Sequence, residues 1–162
     1  ARQQEINMSD THDVMMNEIR YAERLCLRTA RLYRRAQTIG VFVTIVGGSA
    51  AMSALSSSAP KWLSVAGFIS LTLFGAAMIA IRPAEKATAN EADAKRYGQL
   101  RTAANTMDDL TLRAAIDKAR EGDGPEIEPL RDVAYNDVVV EVGRPDVAIP
   151  LTTKQKFLAA LA

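Results

Sequence analysis

The residues best placed for chemistry are arginines that recur near the start of the chain. They are separated by three or four residues, which places them on one face of an α-helix. The set is Arg20, Arg24, Arg28, Arg31 and Arg35. Such a basic stripe suits anionic lipid headgroups beside a membrane segment. An alternative is that these arginines surround a pore entrance, or pair with acidic side chains such as Glu85, Glu91 and Asp93.

No signature of an enzyme accompanies this stripe. The sequence contains no glycine-rich phosphate loop, no cluster of histidine and cysteine at metal-ligand spacing, and no nucleophilic serine elbow. The single histidine, His12, has no second histidine with which to share a metal, so we expect it to be solvated. The single cysteine, Cys26, is expected to act as a small apolar residue on an amphipathic helix. We therefore predict no enzymatic activity, no cofactor and no metal.

Hydroxyl side chains form a second pattern, within an apolar stretch that follows the arginines. Ser49, Ser53 and Ser56 are spaced by four and three residues and share one helical face. One interpretation is that these hydroxyls bond to their own backbone carbonyls. The other is that they line a pore, which requires several copies in a ring because one helix pair cannot enclose water. In the second case, we expect a hydrophobic gate made by Val43, Val46 or Met52.

Small residues occupy a further face of the same stretch. They recur at intervals of four and three, and small side chains at this spacing allow two helix backbones to approach closely. The set is Gly40, Thr44, Gly47, Ala51 and Ala54. This face is therefore predicted to pack against another helix.

The elements that position these residues are two apolar stretches joined by a turn. Residues 39–59 and 62–81 carry no charge, and about 20 such residues span the roughly 30 Å hydrocarbon layer of a bilayer. Serines and a proline at 56–60 predict a tight turn between them. Arginines precede the first stretch, Arg82 and Lys86 follow the second, and the turn has only Lys61, so both termini are expected in the cytoplasm.

The remaining chain is predicted to be helical and cytoplasmic. Residues 84–120 favour one long helix without an internal proline, and the sequence Gly-Asp-Gly-Pro at 122–125 should end it. Residues 129–142 predict a helix, although the valines at 138–140 suit a strand equally well. A last helix is expected over 152–162.

These elements together predict an all-α membrane protein with four regions. Residues 1–38 form a basic amphipathic helix, 39–81 a transmembrane hairpin, 82–121 a long cytoplasmic helix, and 122–162 a C-terminal helical segment. We expect copies of this chain to associate as a homo-oligomeric bundle in the lipid bilayer, and we expect no nucleic-acid partner.

The order of these features resembles the SLATT family of two-helix membrane effectors. The resemblance covers about residues 21–143. It is carried by the basic run RTARLYRR at 28–35, the close pair of membrane helices, Arg82 with Pro83 and the EKA that follows, AKRY with Leu100 at 94–100, and PLRDVAYN at 129–136. Together they match the family's order of motifs, and no ligand-binding residue is carried over from them.

The resemblance implies a role in bacterial antiviral or conflict systems. SLATT proteins are encoded beside nucleotide-second-messenger synthases or ligand-sensing proteins and are thought to form pores in the inner membrane. The expected function is accordingly a pore-forming inner-membrane effector, which a partner or a nucleotide-type signal activates. Two alternatives stay open: a membrane anchor with a helical interaction module, and a phage holin-like lysis protein.

Overall fold

The computed structural model describes the backbone of residues 2–53 and 61–162, and the side chains of residues 11–50, 52, 61, 62 and 65–162. Six α-helices and two 3₁₀ turns account for most of this part of the chain, which contains no strand. The helices are α1 (Arg2–Ser53), α2 (Lys61–Ile81), α3 (Pro83–Ala104), α4 (Asp109–Arg120), α5 (Arg131–Glu141) and α6 (Thr153–Leu161), with 3₁₀ turns at Glu128–Leu130 and Pro145–Val147. The predicted all-α class is confirmed.

The chain divides into two compact units. We call Ala1–Leu32 with Lys86–Ala162 the charged unit, and Tyr33–Glu85 the apolar unit. Helix α1 contributes residues to both units, whereas α4, α5 and α6 belong to the charged unit alone.

Two clusters of buried side chains form the core of the charged unit. In the first, Ile19 and Cys26 of α1 pack with Tyr97 of α3 and with Leu112 of α4. In the second, Leu25 of α1 packs with residues of α5 and with the C-terminal residue of the chain. The two sets occupy different faces of α1, so this helix is the element that the others cover.

The prediction of one uninterrupted helix over 82–121 is wrong. The chain leaves the helical conformation between the end of α3 and the start of α4. Asp108 is the N-cap of α4: its carboxylate accepts the backbone N–H of Thr111 at 3.2 Å and the Thr111 hydroxyl at 2.6 Å. These hydrogen bonds lower the pKa of Asp108 below its usual value. An aspartate that caps a following helix competes with continuation of the preceding one, which explains the break.

The other boundaries of the charged unit follow the sequence. Helix α4 ends at Arg120, just before the predicted glycine-proline stop, and the segment at 129–142 is helical rather than a strand. Val138 and Val139 are buried there. Helix α6 begins after a capping box in which Thr152 and Gln155 bind each other's backbone N–H groups.

The apolar unit contains the second predicted membrane stretch as a complete helix. Within the helical segment Val65–Ala104, an 18-residue window has a mean hydropathy of 1.8, and only 6% of it is buried. No other helix in the described part of the chain passes the same test of length and composition for crossing a membrane. Arg82 ends α2 with a φ of 49°, and Pro83 then takes the first position of α3.

Candidate functional site

Exposed apolar side chains cover α2 in the apolar unit. The exposed set includes Trp62, Val65, Phe68, Ile69, Leu73 and Ile79. An exposed patch of this kind in a monomer indicates a surface for lipid or for another protein. At about 1.5 Å per residue, the 21 residues of α2 extend roughly 32 Å, which is the thickness of a bilayer's hydrocarbon layer.

Two glycines of α1 mark where α1 and α2 approach each other most closely. A β-carbon at Gly47 would lie 3.1 Å from the carbonyl oxygen of Gly67 and 3.3 Å from the backbone nitrogen of Leu71. A β-carbon at Gly40 would collide with the side chain of Met78. The contacts run in opposite directions along the two helices, so α1 and α2 pack antiparallel in this unit.

The other residues of the predicted small face are placed as follows. Thr44 is half-buried, and its hydroxyl donates to the carbonyl of Gly40 at 2.8 Å. The hydroxyl of Thr44 is therefore satisfied within its own helix. The side chain of Ala51 and the whole of Ala54 lie outside the described residues.

Ser49 lies on the exposed side of α1. Its hydroxyl donates to the carbonyl of Ile45 at 2.9 Å, so this serine bonds to its own helix. Large apolar side chains share the exposed surface around it, among them Phe42, Ile45 and Val46. The side chain of Ser53 and the whole of Ser56 lie outside the described residues.

The three residues predicted to form a gate differ in burial. Val46 and Met52 are exposed, whereas Val43 is half-buried. Within one copy, therefore, no constriction forms around the two exposed residues. A gate made from them requires side chains from other copies.

Two arginines of the stripe bond to distant elements inside the charged unit. Arg24 donates to Glu141 at 2.7 Å, and this hydrogen bond raises the pKa of the Arg24 guanidinium. Arg28 donates two hydrogen bonds, of 2.8 and 2.9 Å, to the Asp137 carboxylate and a third, of 3.1 Å, to the carbonyl of Ala159. These arginines therefore join α1 to α5 and α6.

The remaining members of the stripe are less tied to this interface. Arg20 donates to the Asn17 side chain at 3.1 Å, whereas Arg31 and Arg35 are exposed. The arginines that do form long-range pairs use acids of α5, which the sequence pattern did not indicate. Of the predicted partners, Asp93 binds Arg96 of its own helix at 3.1 Å.

A partly buried polar network, which the sequence analysis did not predict, joins α3 to the loop after α4. Asp123 accepts Arg96 at 2.9 Å and the Tyr97 hydroxyl at 2.7 Å, while Asp93 accepts the backbone N–H of Gly124 at 2.8 Å. Burial, and then the bond to Asp123, raise the pKa of Tyr97. In the sequence, the glycines on both sides of Asp123 were the one feature that could have indicated a close contact here. A β-carbon at Gly124 would lie 3.3 Å from the Asp93 carboxylate.

His12 and Cys26 have different surroundings. The His12 ring nitrogen lies 3.2 Å from the Asp109 carboxylate at a half-buried position, so this histidine contacts α4 rather than only solvent. Cys26 is buried, and desolvation, assisted by the charge of Asp123, raises the pKa of its thiol to about 12. Among the described residues, no three histidine, cysteine or acidic side chains converge in a way that could hold a metal ion.

The chain was compared with protein-family models, with curated proteins and with solved structures. None of the three comparisons finds a match.

Proposed function

We propose that this protein is a membrane-embedded, pore-forming effector whose copies associate through α1. One observation carries the proposal. The large apolar side chains of α2 are exposed, and glycines of α1 lie at the contact between α1 and α2. Both α1 and α2 therefore present apolar surface outward. Lipid covers such surface on α2, and α1 packs against other copies.

The composition of α1 supports a ring of copies. Its exposed side carries Phe42, Val46 and Met52 together with the hydroxyl of Ser49. In a ring, these faces meet around a common axis, where the apolar residues close the lumen and a small outward movement of the helices wets it. Both stretches cross the bilayer as a hairpin in this arrangement, and the charged unit remains in the cytoplasm.

The charged unit supplies the means of activation. Ion pairs connect α1 to α5, so a signal that rearranges the charged unit also acts on the helix that continues toward residue 53. By its resemblance to the SLATT family, the chain would act in the inner membrane of a bacterium. A second-messenger synthase or a ligand-sensing protein would provide the signal.

Ion flux through liposomes containing the purified protein tests the pore. Ser49→Leu places a large apolar side chain on the proposed lumen face and should reduce flux strongly. Thr72→Leu makes the same kind of change on α2, where residue 72 is exposed, and should leave flux unchanged. The proposal is wrong if the wild-type chain, in the presence of its activating signal, passes no ions.

A second candidate function is a membrane anchor that recruits a partner through the charged unit. It is favoured by the Ser49 hydroxyl, which is already bonded to the Ile45 carbonyl and so leaves the exposed surface around Ser49 almost wholly apolar. Overexpression together with the activating partner separates the two functions, because an activated pore collapses the membrane potential and an anchor does not. A cell that keeps its potential under these conditions, while the protein accumulates in its membrane, supports the anchor.

A further inference from the structure

An open cavity lies between α1 and α5 in the charged unit. Its volume is about 630 Å³, which lies within the roughly 300–1,000 Å³ range of small-molecule sites. Most of its wall is apolar, and the lining includes Tyr21 of α1, Tyr135 and Val138 of α5, and Val142, which directly follows α5. Water forms few hydrogen bonds to such a wall, so its displacement by the apolar part of a ligand is favourable.

The polar groups on the wall decide what else the ligand must carry. Glu18 is a wall residue, but both of its carboxylate oxygens are already engaged, one by Arg113 at 2.9 Å and the other by Arg120. Its negative charge is therefore matched inside the protein. The oxygen of the Asn17 side chain accepts Arg20, and the amide N–H groups of Asn17 can donate to a ligand.

Among the described residues that line the cavity, Arg144 is the cation, and a ligand can readily replace its ion-pair partner. It bonds to Asp146, two residues away, at 3.1 to 3.3 Å, and both side chains are more than 60% exposed. Exposed ion pairs of this kind contribute little, so a ligand anion can take the place of the Asp146 carboxylate. A guanidinium that binds two oxygens at once is well suited to a carboxylate.

We propose that this cavity binds a small amphipathic carboxylate. The apolar body lies between the tyrosines and the valines, and the carboxylate accepts hydrogen bonds from Arg144 and from the Asn17 amide. Arg144 and the Asn17 amide can both donate hydrogen bonds, and two arginines match the charge of Glu18, which favours an anionic ligand over a cationic one. The site does not depend on pore formation, because every residue that it uses belongs to the charged unit.

Calorimetry with 2-naphthoate tests the proposal. The full chain is held in lipid nanodiscs, and the heat of adding 2-naphthoate to empty nanodiscs is subtracted. We expect one molecule to bind per chain. Arg144→Gln should weaken binding several-fold, since a charge-assisted contact at an exposed guanidinium is lost. Arg31→Gln removes an exposed arginine outside the cavity and should not change the affinity.

Asp146→Asn provides a result of the opposite sign. It removes the carboxylate that competes for Arg144, so 2-naphthoate should bind several-fold more tightly. Val147→Trp fills the mouth of the cavity at an exposed position and should abolish binding without unfolding the unit, which circular dichroism checks. Equal affinities for Arg144→Gln and Arg31→Gln, or undiminished binding by Val147→Trp, would overturn the proposal.

Discussion

The two units of this protein place opposite kinds of residue on the inside. In the charged unit, large apolar side chains such as Ile19 and Leu112 are fully buried. In the apolar unit, Gly40 and Gly47 lie at the helix contact, and residues such as Phe68 and Leu73 face outward. The first arrangement suits water and the second suits lipid, where apolar surface gains nothing from burial and helices associate by close packing.

The bonding of polar side chains also differs between the two units. In the charged unit many of them, the arginines above all, join segments far apart in the chain, as Arg24 joins Glu141 and Arg113 joins Glu18. In the apolar unit, Thr44 and Ser49 bond to carbonyls four residues earlier in their own helix. A hydroxyl in an apolar environment needs a partner, and its own backbone is the nearest one.

Paired leucine substitutions provide the largest test of this contrast. Leu112→Ala removes a fully buried side chain of the charged unit and should lower its free energy of unfolding by about 2–5 kcal/mol. Leu73→Ala makes the same change at a side chain that is 63% exposed on α2 and should leave that free energy unchanged. Hydrogen exchange at the amides of α4, in the full chain in nanodiscs, measures both variants. A comparable loss from Leu73→Ala would show that α2 is part of a buried core.

The polar network of the charged unit should give the next largest effect. Asp123→Ala leaves the Tyr97 hydroxyl and one Arg96 contact without an acceptor, so we expect a loss of about 2–3 kcal/mol. Asp146→Ala removes an exposed aspartate and serves as the control, with an expected loss below about 0.5 kcal/mol. Denaturant titration compares the two variants, and equal midpoints would mean that the network adds no stability.

How much of this was predictable depends on whether a feature is local. The all-helical class, the ends of α4 and α6 and the apolar character of α2 follow from neighbouring residues, such as the Thr152 cap and its partner Gln155. The break before α4 was also local in cause, but one aspartate cap at Asp108 did not stand out in a segment of high helix propensity.

Contacts between distant segments could not be predicted in this way. The spacing of the arginines placed Arg24 and Arg28 on one face, yet nothing in that spacing identifies Glu141 and Asp137 as their partners. Pairing of this kind depends on how α5 packs against α1, which is set by buried residues such as Val138. Of the two interpretations of the serines, the bond to a carbonyl of the same helix is the one found at Ser49.

The buried thiol of Cys26 predicts an effect of pH on the charged unit. Because its pKa is raised from 9.0 to about 12, the folded protein keeps this proton at pH values where the unfolded chain loses it. The contribution of the protonated thiol to the stability of the folded protein is therefore fully present below about pH 9 and is lost as pH rises from 9 toward 12. Cys26→Ala should show a smaller alkaline loss of stability than the wild type, measured by denaturant titration at pH 8 and pH 10.5. Identical losses would mean that the thiol is not desolvated.

The glycines of α1 provide a matched pair inside the apolar unit. A β-carbon at Gly47 meets the backbone of α2, whereas a β-carbon at the neighbouring Gly48 meets nothing within 4 Å. Alanine favours a helix over glycine by roughly 0.5–1 kcal/mol, so Gly48→Ala should stabilise the unit slightly. Gly47→Ala should be less stable than Gly48→Ala by about 1–2 kcal/mol, because two backbones must separate. Thermal unfolding in detergent compares the two. If the variants unfold at the same temperature, the close approach of α1 and α2 is absent.

The smallest effect should come from two arginines of the stripe that differ only in their partners. Arg28→Gln breaks the pair with Asp137, which is about three-quarters buried, and should lower the free energy of unfolding of the charged unit by about 1 kcal/mol. Arg31→Gln removes an exposed arginine for which the described part of the chain holds no ion-pair partner, so stability should not change.

Salt provides the second measurement. At 1 M salt, charge interactions are screened beyond a length of about 3 Å, so the difference in free energy of unfolding between the two variants should become smaller. An equal loss from both variants would contradict the distinction and would assign the stability to the charge of the whole stripe. A loss from Arg28→Gln alone assigns it to the contact between α1 and α5, which leaves Arg31 available for anionic lipid.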